Sequence, residues 1–240
     1  LALYFGDDAD SARAIETAIH DIGAIGQSVD KKLWKDVKFR DKNIDFSYNS
    51  RYYDYIAITV SGIATYQIEN ISMALCALEM LLLGDEMPTV ETIQEVVKST
   101  VWEGRMEEVL PDVFLDGAHN ENGICAFLES VKMTVANKKT LLFAVVSDKE
   151  YKAMIEHIVR SEVFDEIVIT GLQNSRALSV QEILQNFYEC GRKEIVVIDD
   201  VKQAFCSLCE KKKEGEQIYV AGSLYLVGRI KEIIGRNQND

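Results

Sequence analysis

The string Asp116-Gly117-Ala118-His119-Asn120 directly follows the apolar run Val113-Phe114-Leu115, and its residue types could do chemistry. Ligands of an open parallel sheet lie beyond the C-terminal strand ends, so polar residues just after such a run are placed to bind. An aspartate there can accept hydrogen bonds from ribose hydroxyls, a glycine lets a ligand approach the backbone, and a histidine ring can pack against a base or sugar. A plainer account is that Asp116 and Asn120 cap the next helix, which carries Ile124, Phe127 and Val131 on its inner face. Spacing leaves both accounts open.

Ser223 follows the strand-like Ile218-Tyr219-Val220-Ala221 and opens a helix, so it can cap that helix or face a ligand cleft. Arg105 offers a permanently charged fork for an anion, or an ordinary surface ion pair. Asn70 stands in the first turn of a helix, where asparagine is often a cap. Asp148 and Lys149 can form a simple turn, and His20 and His157 fall in helical segments without evident partners. Cys206 and Cys209 make a Cys-x-x-Cys pair, but no second pair stands at metal spacing and both lie in an expected helix, which argues against zinc or redox work. The five cysteines are scattered and odd in number, as suits reduced thiols in a cytoplasm. Lys211-Lys212-Lys213 precedes Glu214 and Glu216 and reads as a solvated helix end.

The elements that must position these residues fall into two patterns. Leu1 to Phe5 reads as a buried strand feeding a helix from Ser11 to Ile22, and Val37-Lys38-Phe39, Ile44 to Tyr48 and Ile56 to Val60 alternate apolar with polar, as half-buried antiparallel strands do. A helix over Tyr66 to Leu83 places Ile71, Leu75, Leu78 and Leu82 on one face and stops at Gly84, and another runs from about Val90 to Ser99. From Val113 onward, short apolar strands (113–115, 141–146, 167–169, 195–198, 218–221) alternate with helical segments. One of those helices opens on Ser179-Val180-Gln181-Glu182, a reciprocal cap. Strands without a polar face must be covered on both sides, which predicts an α/β, doubly wound, mainly parallel sheet. The boundary is placed so that 1–107 and 108–240 form separate domains.

Gly104-Arg105-Met106-Glu107 followed by Leu115-Asp116-Gly117-Ala118-His119-Asn120 resembles the signature of the folylpolyglutamate synthase branch of the Mur ligase family. Tyr66-Gln67-Ile68-Glu69-Asn70 is similar to the opening of the last long helix of that family's central domain. Ser147-Asp148-Lys149 is similar to its Asp-Lys-Asp turn, with Glu150 replacing the last aspartate, and Ala221 to Gly228 to a segment near its C-terminus. The resemblance implies that 1–107 is the remainder of a central ATP-binding ligase domain and 108–240 a C-terminal Rossmann-like ligase domain. It further implies that Asn70 contacts adenine, Arg105 the phosphates and Asp116 the ribose, that His119 lines the same cleft with a catalytic part beside Arg105, and that Ser223 borders it. ATP, L-glutamate and (tetrahydro)folate are the implied small molecules, joined through an acyl phosphate, with Mg2+ ligands expected upstream of Leu1.

The chain begins at Leu1, already in a strand, and contains no G-x-x-x-x-G-K-[ST] phosphate loop, so it is expected to be a portion of a longer enzyme, inactive in ligation alone. A formal charge of -13, from 39 acidic against 26 basic residues, speaks against nucleic acid or an anionic membrane as partner. No apolar run approaches the roughly 20 residues of a membrane span. The expectation is a cytoplasmic monomer. Two rival readings remain: a muramyl-type amino-acid ligase of the same architecture, and a self-standing, non-catalytic nucleotide-binding module.

Overall fold

The computed structural model describes residues 1–6, 8–40, 42–82, 86–147 and 150–237; the expected turn at Asp148-Lys149 and the stop at Gly84 lie outside them. Contacts divide the chain into two compact units, Leu1–Val101 and Trp102–Asp240. Gly104 to Glu107, read from the sequence as part of the first domain, therefore sits in the second unit.

In the first unit, β1 (Ala2–Phe5) pairs in parallel with β2 (Gly26–Val29), joined through α1 (Ala9–Asp21). Asp8 starts this helix by accepting the Ser11 amide at 3.0 Å, and no residue of α1 is buried. A three-stranded antiparallel sheet follows, with β4 (Asn43–Asn49) between β3 (Trp34–Phe39) and β5 (Tyr55–Ser61). Alternation along β4 and β5 turns Ile44, Phe46, Tyr48, Ile56, Ile58 and Val60 inward. They pack on Ile68, Ile71 and Leu75 of α2 (Gln67–Leu81) and Ile93 of α3 (Val90–Ser99). Glu79 of α2 is buried but satisfied, accepting the Ser50 hydroxyl at 2.6 Å and the Arg51 amide at 3.2 Å, which ties the β4–β5 hairpin to the helix.

The second unit runs β6 (Glu107–Leu110), β7 (Val113–Leu115), α4 (Glu121–Lys132), β8 (Lys138–Phe143), α5 (Tyr151–Ser161) and β9 (Glu166–Ile169). It continues with α6 (Val180–Glu189), β10 (Val196–Val197), α7 (Val201–Lys211), β11 (Glu216–Ala221) and α8 (Leu224–Asn237). The sheet order is β10-β9-β8-β11-β7-β6, parallel throughout except for β6, which returns antiparallel on β7 across the Pro111-Asp112 turn. Asp112 takes a left-handed φ of 59° there, a conformation that aspartate tolerates.

Period-two alternation divides the core. Val113, Leu115, Ile218 and Val220 pack with Val201 and Phe205 of α7 and Leu226 and Ile230 of α8. Between them, Phe114 and Tyr219 point to the opposite face, their rings stacked 5.3 Å apart, and Phe127 of α4 meets Tyr219 edge-on at 6.1 Å. β7 is followed by α4 on one face and its neighbour β11 by α8 on the other, so the connections diverge beyond the C-terminal ends of these strands, the place where α/β sheets bind ligands.

Candidate functional site

Asp116 continues β7 by one residue, its amide donating to the Val220 carbonyl at 2.9 Å. Its side chain is 2% exposed and stays inside the loop: Oδ1 accepts the Ala118 amide at 2.8 Å and Oδ2 the Met106 amide at 3.0 Å. Asn120, the next polar residue after His119, does cap α4, its Oδ1 accepting the Gly123 amide at 2.8 Å. Asp116 is thus not a helix cap; it binds the loop after β7 to the turn before β6.

That turn, Gly104-Arg105-Met106, is an unusual conformation held from several sides. Gly104 and Met106 both take left-handed φ values, 63° and 49°. The Gly104 amide donates to Glu107 Oε2 at 2.6 Å, and the Gly104 carbonyl accepts the Gly117 amide at 2.7 Å and Arg105 Nη1 at 3.2 Å. Glu107 in turn accepts from Lys231 of α8 at 3.0 Å, which also reaches Glu103 at 2.6 Å. Burial pulls the Lys231 ammonium pKa down, but the bonds it donates to Glu103 and Glu107 outweigh that and hold it above the usual lysine range.

Gly117 is where these pieces meet. A Cβ built there would lie 2.6 Å from Leu224 Cδ2, 2.7 Å from Arg105 Nη1 and 3.2 Å from the Gly104 carbonyl oxygen. A side chain at this position would push the Leu224 methyl and the Arg105 guanidinium away from the strand end, and the bare glycine lets both lie there. His119, half-buried, contacts the Gly117 carbonyl through Nδ1 at 2.7 Å. The Ala118 carbonyl accepts the Gly222 amide at 2.9 Å, and Gly222, at φ 106°, presses so close to the Ala144 carbonyl that a Cβ would sit 2.5 Å from its oxygen. Ser223 is 1% exposed and its Oγ accepts the Tyr225 amide at 3.2 Å, so it opens α8 as a cap.

Arg105, Asp116, His119 and Ser223 are therefore gathered in the second unit, at the ends of β7 and β11. Asn70 belongs to the first unit, exposed on the first turn of α2, where its Nδ2 donates to Gln67 Oε1 at 2.8 Å. Gln67 is 2% exposed and its Nε2 has no hydrogen-bond partner. Sequence reasoning did not single out Glu107 and Lys231 as parts of the site. Glu107 carried a signal, a carboxylate following Gly104 at capping distance, whereas Lys231 is distant in sequence and carried none.

Beyond the ends of β9 and β10 lies a cavity of about 400 Å3, bordered by Asn174, Asp199, Lys202, Leu224, Tyr225 and Arg229. Leu224 is shared between this cavity and the Gly117 junction. Among the described residues, no three His, Cys, Asp or Glu side chains gather as a metal-binding group. The Cys206 and Cys209 thiols are free, and burial pushes Cys209 up to about 11.

Comparison with known proteins supplies the family. The chain is 28% identical over 191 residues to a dihydrofolate synthase/folylpolyglutamate synthase of Bacillus subtilis, covering 78% of this chain and 43% of the relative. It is 22% identical over 180 residues to a folylpolyglutamate synthase of Lacticaseibacillus casei, covering 74% and 40%. Among solved structures, a Mycobacterium tuberculosis folylpolyglutamate synthase complexed with ADP and AMPPCP superposes with a TM-score of 0.81 at 18% identity, over 98% of this chain and 55% of that one. E. coli FolC in complex with DHPP and ADP gives 0.78 at 20% identity, over 99% and 54%. At these identities the structures speak for the fold, and the chain spans about half the length of the solved chains it matches, less of the curated relatives. The family model for the dihydrofolate synthetase C-terminal domain matches residues 104–233, a span that opens on the Gly104 turn and closes in α8, and the chain belongs to that family.

Proposed function

We propose that this chain is a portion of an ATP-dependent folylpolyglutamate synthase, the ligase that joins L-glutamate to (tetrahydro)folate. The observation that carries the reading is the Arg105 guanidinium lying over Gly117 at the C-terminal end of β7, within the span that the family model matches. In this reading Leu1–Val101 is the remainder of a central ATP-binding domain and Trp102–Asp240 holds the C-terminal ligase domain.

Each side chain has work suited to its type. Arg105 binds the phosphates and neutralises charge as the terminal phosphoryl group leaves ADP for the folate carboxylate. Asp116 is assigned to the ribose hydroxyls, which a carboxylate accepts from, and His119 and Ser223 border the cleft. Asn70 presents a donor beside an acceptor, matching the adenine edge. The glutamate amine then attacks the acyl carbon, loses a proton and expels phosphate to give the amide. Magnesium, when bound, would offset charge on the phosphates; its ligands are assigned to the part of the enzyme outside this sequence. The whole enzyme works as a cytoplasmic monomer.

The chain alone should bind ADP weakly and show no folate- and glutamate-dependent ATP consumption, because it contains no phosphate loop. Calorimetric titration with ADP should give an affinity that Arg105→Ala and Asp116→Ala each lower about tenfold, the scale of one lost charge-assisted contact. Ligation by the unaided chain, or ADP affinity indifferent to both substitutions, would overturn the reading.

A further inference from the structure

Arg105 is an exposed side chain on a three-residue turn, and an exposed arginine has many rotamers and a high entropy cost of ordering. The turn beneath it, however, is held by charged groups at both ends. At one end the buried carboxylate of Asp116 takes the Met106 amide at 3.0 Å; at the other, Glu107 takes the Gly104 amide at 2.6 Å. Those two amides flank Arg105 in sequence, and both of their residues are in the left-handed region. For Met106 that conformation is costly, so something must impose it, and the Asp116 bond to the Met106 amide is placed to do so.

Glu107 is itself fixed. Its two oxygens accept from Lys231 at 3.0 and 3.1 Å, and its side chain is 18% exposed. Lys231 stands two turns into α8, the helix whose first residue, Leu224, closes over Gly117. The chain of contacts therefore runs from α8 through Lys231 and Glu107 to Gly104, and from Gly104 to both Arg105 Nη1 and the Gly117 amide.

We infer that Glu107, braced by Lys231, is a positioning residue which, with Asp116, clamps the Gly104–Met106 turn and so aims Arg105 at its anion. Neither Glu107 nor Lys231 touches the anion. This gives Asp116 a second role that does not involve ribose, and it rests on the reading of Arg105 as the phosphate ligand. The pre-ordered guanidinium loses less freedom on binding, which is the energetic purpose of the clamp.

The test uses the full chain and a ligand without ribose or base, inorganic tripolyphosphate, alongside NMR relaxation of the Arg105 Nε–H group, which needs no ligand. Glu107→Ala should lower tripolyphosphate affinity about tenfold and loosen Arg105 Nε–H, whereas Glu107→Gln, which keeps an oxygen for the Gly104 amide, should restore most of both. Asp116→Asn, which puts an amide donor against one of two backbone amides, should weaken tripolyphosphate as well as ADP. Lys231→Met, which removes the brace and leaves the Glu107 carboxylate in place, should repeat the Glu107→Ala effect more weakly and keeps the test open if Glu107→Ala does not fold.

The inference is overturned if Arg105 Nε–H is equally ordered in wild type, Glu107→Ala and Lys231→Met. It is overturned equally if Asp116→Asn weakens ADP but leaves tripolyphosphate untouched, since the aspartate would then act through ribose alone. If Arg105→Ala binds tripolyphosphate as wild type does, the phosphate reading of Arg105 fails instead, and the relaxation measurement still decides the clamp.

Discussion

Cys209 shows how burial rather than residue type sets reactivity. A Cys-x-x-Cys pair suggests metal or redox work, yet the thiol is half-buried on α7 against the core and pushed up to about 11, with desolvation the leading cause and the neighbouring Cys206 adding to it. At pH 8, iodoacetamide should label Cys209 far more slowly in the native chain than in urea, as peptide mass spectrometry would show; equal rates would contradict the burial. The sign of the linked stability follows. The folded value lies above the ordinary thiol value of 9.0, so this contribution is complete below about pH 9 and is lost as pH rises toward about 11, and Cys209→Ser should remove that part of the alkaline decline. At this scale the sequence showed the Asp116 to Asn120 string and the Arg105 turn, because each is a short run of types suited to a loop. It did not show that the Asp116 carboxylate is engaged by the Met106 amide, since that bond joins residues brought together by sheet pairing.

Elements whose formation depends on neighbouring residues were legible. The reciprocal cap at Ser179 and Glu182 is formed as its spacing predicts, with the Ser179 Oγ taking the Glu182 amide at 3.3 Å and the Glu182 carboxylate bonded back to Ser179. Ser179→Ala should cost about 1 kcal/mol, read from the urea midpoint, and no loss would mean that α6 is held by packing alone. The alternating strands over 44–48 and 56–60 appear as β4 and β5. In contrast, β2 escapes notice because Gly26-Gln27-Ser28-Val29 has little apolar content, and the parallel partner that makes it a strand lies upstream of α1. The apolar run 141–146 overstates β8, which ends at Phe143; Val145 bonds outside the sheet, accepting the Leu178 amide at 3.1 Å. Likewise, β10 keeps just Val196 and Val197 of the four residues expected, both about two-fifths exposed at the sheet edge.

On the scale of the whole molecule, two units with separate cores should melt separately. Calorimetry should resolve two transitions. Phe127→Ala, which empties a fully buried ring site in the second unit, should lower one by the equivalent of about 3–5 kcal/mol, and Ile58→Ala, in the core of the first, should lower the other by about 2–5 kcal/mol. A single transition moved by both substitutions would sink this division. What the sequence by itself determined is local: hydrophobic period separated the antiparallel first part from the wound second part, and apolar strands without a polar face demanded a parallel sheet covered on both sides. Tertiary structure decided the order β10-β9-β8-β11-β7-β6 and, through the entry of β11 beside β7, brought Gly222 and Leu224 against the Asp116 loop and Lys231 under the Arg105 turn. No periodicity encodes such a meeting, because strand order depends on which faces the connecting helices cover, and that is settled by packing among residues far apart in the chain.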